Sequence, residues 1–163
     1  APREIVAMEM LNAAQVDGLV KGLRREFATT IVDLPPVWTA WTNHLVQESD
    51  RIVMVTHLTV PHIQLVKRQL RILATQRLDD RPITLVCNAL SPDHVASVPV
   101  KAAERALGRS FDVVIPEDRK VMMQAINQGI EISSVRRNTK LEKAIAELAQ
   151  KLAPAAPIMR RVF

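Results

Sequence analysis

Cysteine is almost absent. Cys87 stands alone, so no internal disulfide can form, which suits a reducing compartment. Aromatic residues make up 3% of the chain, with no tyrosine. That is too few to build a stacking surface for single-stranded nucleic acid. There are four glycines, Gly18, Gly22, Gly108 and Gly129, and none begins the G-x-x-x-x-G-K-[S/T] turn whose amides and lysine cradle phosphates. No apolar run is long enough to span a bilayer. The opening Ala-Pro-Arg-Glu lacks the apolar region of a signal peptide, so a cytoplasmic protein is expected. No low-complexity tract, internal repeat or linker divides the chain.

What remains is an ordinary globular composition. The 163 residues, 48% hydrophobic and 24% charged, are enough for one domain with a sizeable core. A net charge of +5 and a pI near 9.9 permit contact with nucleic acid or an anionic membrane, but a basic solvated face satisfies them equally.

Helical and strand periods alternate along the chain. Residues 5–10 are a short apolar mix without a firm assignment. Asn12 and Gln15 have capping-box spacing ahead of a helix with Val16, Leu19, Val20, Leu23 and Phe27 on one stripe. Lys21, Arg24 and Arg25 lie near its end, where cations suit the dipole. Strands are expected at 29–33, 51–56, 83–87 and 111–115. The second, Arg51-Ile-Val-Met-Val-Thr56, is a continuous apolar run of the kind covered on both faces. Between the strands, helices are expected over 38–49, from Thr59 (with Pro61 in the first turn and Ile63, Val66, Leu70 and Leu73 buried), over 98–107 up to Gly108, from Asp118 to Gly129, and from the Thr139/Glu142 capping box through Leu141, Ile145, Leu148 and Leu152. A tail follows Pro154. Strands alternating with helices predict an α/β fold with a mostly parallel, doubly wound sheet and right-handed crossovers.

The chemistry gathers at strand ends, where parallel sheets bind ligands. The run Ala28-Thr-Thr-Ile-Val-Asp33-Leu-Pro-Pro36 ends a β-branched stretch in a carboxylate, which suits a turn, a helix cap or a hard Mg²⁺ ion. Val86-Cys-Asn88 ends another in an amide, able to donate and accept at once. Ile115-Pro-Glu-Asp118 ends a third. The histidines offer no zinc pattern: His57 and His62 are five apart, and His44 and His94 fall in unrelated segments. No G-x-S-x-G elbow supports a hydrolase triad. Cys87 reads as a small core residue. Trp38 and Trp41, three apart, suit a core anchor or a partner surface. Arg136, Arg137 and Lys140 suit a solvated helix start, or a contact to phosphate or acidic lipid. The end Ile158–Phe163 is too short for a membrane-binding helix.

Taken in order, several phrases carry a resemblance. They are Leu23-Arg24 with Phe27, Ile31-Val-Asp-Leu-Pro with Trp38, Ser49-Asp-Arg-Ile-Val-Met-Val, Ala106-Leu-Gly, Val114-Ile-Pro and Asn127-Gln-Gly129, spread over residues 19–150. The chain resembles the deviant P-loop ATPases of the MinD/ParA superfamily, most of all the CpaE/TadZ proteins of pilus assembly (the Flp, tight-adherence system). The resemblance implies ATP and Mg²⁺ as ligands. Asp33 would order the magnesium, through water, and sense the γ-phosphate; Asn88 would read the adenine edge; Ile115, Pro116 and Glu117 would flank the base. It also implies a homodimer switched by ATP, pilus or secretion proteins as partners, and a peripheral place at the inner membrane or cell pole, with nucleic acid not expected. Without a phosphate loop, residues 1–153 look like the C-terminal part of such a domain, expected not to hydrolyse ATP by itself. The other readings are a scaffold that uses no nucleotide and a ParA-like partitioning ATPase on duplex DNA.

Overall fold

The computed structural model describes residues 12–35, 37–90 and 98–153. The expectations for residues 5–10, Pro36, the Ser91–His94 loop and the tail after Pro154 lie outside them. The elements are α1 (Ala13–Glu26), α2 (Ala40–Glu48), β1 (Ile52–Thr56), α3 (Val60–Thr75), β2 (Ile83–Leu90), α4 (Val100–Leu107), β3 (Val113–Pro116), α5 (Arg119–Gln128), α6 (Ile132–Val135) and α7 (Lys140–Leu152). They fall into two compact units, one up to Asp50 and one from Arg51.

The first unit is two capped helices and the segment between them. Asn12 Oδ1 accepts from the Gln15 N–H and Gln15 Oε1 accepts from the Asn12 N–H, both at 2.9 Å, so the box expected at α1 is present. Thr39 and Thr42 form a second box on α2. The helices pack together, and the Arg24 guanidinium donates to the Glu48 carbonyl. The expected stripe is only partly realised: Val16 is buried, but Leu19 and Phe27 are exposed. The strand expected over 29–33 is absent; residues 29–35 have no regular structure. β-branched residues favour strands because they fit a pleated, half-buried surface, not because the backbone alone prefers it. Here no ladder partner is present among the described residues, and Ile31 and Val32 are 86% and 48% exposed.

Among its described residues the second unit is a three-stranded parallel sheet in the order β1-β2-β3 with helices on both faces. On one face Val86, Val113 and Ile115 pack with Val121, Leu141 and Ala144 of α5 and α7. On the other, Cys87 packs with Leu58, Ile63 and Ala103. Local chemistry closes the helices as expected. Gly108 and Gly129 end α4 and α5 in the left-handed conformation, at φ 71° and 62°, where a Cβ would be strained. Asp118 caps α5 through the Val121 N–H at 3.1 Å. At α7, Thr139 caps the Glu142 N–H, while the Glu142 carboxylate turns back to the Asn138 N–H instead of to Thr139. The buried stripe of α7 runs through Leu141 and Ala144; Ile145, expected inside, is exposed. Asp112 ties β3 to β2: its Oδ2 accepts from the Leu85 N–H at 2.7 Å and its own N–H donates to the Leu85 carbonyl at 2.8 Å.

β2 is the fully covered strand, with Leu85, Val86 and Cys87 buried. β1 is not covered on both faces as its apolar run suggests, for Val53 and Val55 are exposed.

Candidate functional site

The carboxyl ends of β1, β2 and β3 lie side by side in the second unit. In register, Thr56 stands beside Cys87 and Cys87 beside Val114. β2 then departs from the regular ladder. It does not end at Asn88 but continues to Leu90, which pairs with Pro116. Three residues advance on β2 for two on β3, so one extra residue is accommodated at Asn88-Ala89. Ala89 takes it up at φ 51°, a left-handed value that costs a non-glycine residue about 1–2 kcal/mol. The Glu117 N–H, donating to the Leu90 carbonyl at 3.0 Å, re-closes the ladder beyond it. A bulge of this kind re-aims a side chain and terminates pairing. Asn88, next to the bulge, is half-buried.

The other site residues divide. Ile115 is buried in the α5–α7 core. Pro116 and Glu117 are half-buried at the end of β3, and Glu117 accepts from Arg119 Nε at 2.5 Å. Asn88, Ile115, Pro116 and Glu117 are thus brought to one end of one sheet. Asp33 belongs to the first unit, exposed and in its irregular segment rather than at a strand end.

Two features lay beyond the sequence reading. Thr59 is the N-cap of α3, as expected, but its side chain makes no capping bond. Its Oγ1 instead shares a 2.7 Å hydrogen bond with His62 Nδ1, and His62 packs edge-on against His57 with ring centroids 5.3 Å apart. The signal was the Thr-x-x-His spacing, a capping box with an imidazole in the third position. The bulge at Ala89 has no sequence signature, since glycine is the usual residue for that conformation. Cys87, beside Asn88, is buried, and burial pushes its thiol up to about 11. It is a core residue, as expected, and not a thiolate nucleophile at neutral pH.

Known proteins share this fold. No family model matches the chain. In sequence it is 24% identical over 152 residues to the septum site-determining protein MinD of Thermotoga maritima, covering 91% of this chain and 55% of that one. Among solved structures, a ParA family ATPase from Chlorobium tepidum superposes with a TM-score of 0.75 at 17% identity, over 88% of this chain and 58% of that chain. The MinC:MinD complex of Aquifex aeolicus gives 0.72 at 18%, over 92% and 63%. MinD of Pyrococcus horikoshii with Mg-ADP gives 0.72 at 17%, over 93% and 60%. The chain has the fold of the MinD/ParA P-loop ATPases. It spans little more than half the length of the relatives it matches.

The residues present fit one end of a nucleotide better than the other. A half-buried amide at the bulge carries both a donor and an acceptor, the pair that a base edge presents. None of the four glycines stands in a phosphate-binding turn. Gly18 and Gly22 lie inside α1, and Gly108 and Gly129 close helices. Among the described residues no three or more His, Cys, Asp or Glu side chains converge on a cation position.

Proposed function

We propose that the chain is the base-reading part of a MinD/ParA-type ATPase of the CpaE/TadZ kind, an ATP-dependent dimer switch that positions a Flp (tight-adherence) pilus machine at the inner membrane or cell pole. The observation that carries the nucleotide reading is the bulge that frees Asn88 from the ladder beside Pro116 and Glu117. Asn88 takes the adenine edge and Pro116 packs on the ring. Asp33, through water on Mg²⁺, reports the γ-phosphate when the phosphate loop is supplied. The pilus assignment rests on the ordered phrases around Asp33, Trp38, Ser49 and Asn127. The similar proteins are MinD and ParA ATPases, and one is recorded with Mg-ADP.

The experiment is titration of a fluorescent ATP analogue into the polypeptide expressed from the complete gene. Asn88→Ala should weaken binding about tenfold, the worth of one or two hydrogen bonds, without lowering the melting temperature. Asp33→Asn should leave binding near wild type but abolish the Mg²⁺-dependent change of oligomeric state. Unchanged affinity in Asn88→Ala removes Asn88 from the site. The net charge of +5 favours one alternative, a partitioning ATPase on duplex DNA. DNA affinity that falls steeply with salt would support it, and pilus assembly unaffected by deletion of the gene would retire the CpaE/TadZ reading.

A further inference from the structure

His57 and His62 have no zinc-ligand spacing in the sequence, yet the fold brings them together just beyond the carboxyl end of β1. Both are exposed. Their rings lie with centroids 5.3 Å apart and planes crossed at 71°. Two imidazoles bound to one tetrahedral ion, at metal–nitrogen distances of about 2.0–2.1 Å, have centroids about 5 Å apart. Rings stacked in parallel would aim their lone pairs side by side, whereas crossed rings can aim them at one point.

The frame beneath the rings is fixed. Thr56 and Leu58, on either side of His57, are 3% and 5% exposed. Thr56 Oγ1 donates to the His57 carbonyl at 3.3 Å, and the Leu58 carbonyl accepts the Val98 N–H at 2.7 Å. His62 stands in the first turn of α3, where Pro61 presets the backbone, and its neighbour Ile63 is buried in one cluster with Leu58. Two exposed side chains thus stand on anchored backbone, and a ligand has little left to order.

Thr59 supplies the orientation. It is the N-cap of α3, yet its hydroxyl makes no capping bond and meets His62 Nδ1 at 2.7 Å instead. The hydroxyl is withheld from the helix end, where such a residue contributes most to stability. In the tautomer whose Nδ1–H donates to Thr59 Oγ1, His62 Nε2 keeps its lone pair and faces away from the threonine. Metal-ligating histidines are held in this way, their other N–H given to a fixed acceptor.

We propose that His57 and His62 form a two-imidazole site for a divalent first-row transition metal, with Thr59 as the positioning residue for His62. Among the described residues no cluster of three or more His, Cys, Asp or Glu includes them. The ion therefore keeps its remaining positions for water or for a donor brought by another molecule. Imidazole suits Cu²⁺, Ni²⁺ and Zn²⁺, with Cu²⁺ the tightest. The first turn of α3 holds no acid, so Ca²⁺ and Mg²⁺, which need oxygen donors, are not favoured. The proposal does not depend on the nucleotide reading above.

Titration of Cu²⁺ into the untagged chain, followed by pulsed electron paramagnetic resonance, tests it, because the spectrum counts coordinated imidazoles. Wild type should take one Cu²⁺ on two imidazoles. His57→Ala and His62→Ala should each show one imidazole and bind about 100-fold more weakly, as one arm of the chelate is lost. Thr59→Val should bind about tenfold more weakly, and Thr59→Ser should bind as wild type does. Neither should change the melting temperature of the metal-free chain, since no capping bond is removed. A wild-type spectrum with one imidazole or none overturns the proposal. So does an equal loss of affinity in His44→Ala or His94→Ala, which would show an adventitious ion shared among scattered histidines. Wild-type affinity in Thr59→Val removes Thr59 from the site. Zn²⁺ gives a second reading: it should raise the melting temperature of wild type and not that of His57→Ala, and equal shifts in the two overturn the proposal.

Discussion

The two units differ in what holds their β-branched segments. In the first, Thr29-Thr-Ile-Val-Asp33 has the composition of a strand and lies in an irregular segment with Ile31 and Val32 in water. In the second, Ile83-Thr-Leu-Val-Cys87 has much the same composition and forms the most buried strand of the sheet. Two neighbours and two covering layers make the difference. A strand is a property of its surroundings, whereas a helix cap is a property of four consecutive residues. The caps at Asn12, Thr39, Asp118 and Thr139 accordingly form in both units alike.

The largest expected effect breaks that comparison directly. Leu85→Ala, at a fully buried site in β2, should destabilise by about 2–5 kcal/mol, whereas Ile31→Ala should cost no more than about 0.5 kcal/mol. Urea unfolding of both variants measures the gap. A cost at Ile31 approaching that at Leu85 would mean the first segment is a packed strand after all.

Caps should bring the units level. Asn12→Ala and Asp118→Ala each remove a side-chain acceptor from a helix N-terminus, a loss of about 1 kcal/mol. Matching decreases in thermal stability would show that local signals are worth the same in both units. A smaller loss at Asn12 would show the first unit melting separately.

These contrasts explain what was legible. The helices from Asn12, Thr59, Asp118 and Thr139 could be read because caps, glycine stops and the 3.6-residue period are local. The parallel α/β class could be read because three apolar runs alternate with helices. The strand at 29–33 was misassigned because pairing is not local, and Val53 and Val55 were expected inside because an apolar run does not reveal which face lacks a cover. At the site, Asn88, Pro116 and Glu117 were placed at strand ends from sequence, but the bulge that frees Asn88 was not foreseen, since Ala89 gives no hint of a positive φ. Replacing it should show the strain: Ala89→Gly relieves the left-handed conformation, partly offset by the greater entropy of glycine in the unfolded chain. A net gain of about 0.5 kcal/mol in chemical denaturation is expected, and a loss would mean that the Ala89 methyl packs usefully.

The smallest effect concerns acid. Glu104 on α4 accepts the Phe111 N–H at 3.0 Å and the Lys101 ammonium at 3.1 Å. The backbone bond from Phe111 first, then the Lys101 side chain, holds its carboxyl below the ordinary glutamate range. A carboxyl depressed in the folded state binds protons less tightly there than in the unfolded chain. Its contribution is therefore complete above the unfolded value, about 4.3, and is lost as pH falls through the lower folded value. Glu104→Gln keeps an acceptor for Phe111 but removes the charge. The variant should melt slightly below wild type at pH 7, and the two should converge as pH falls from about 4.3 to below the folded value. A difference that persists undiminished at the acid end would show that Glu104 holds the α4–β3 turn by shape and not by charge.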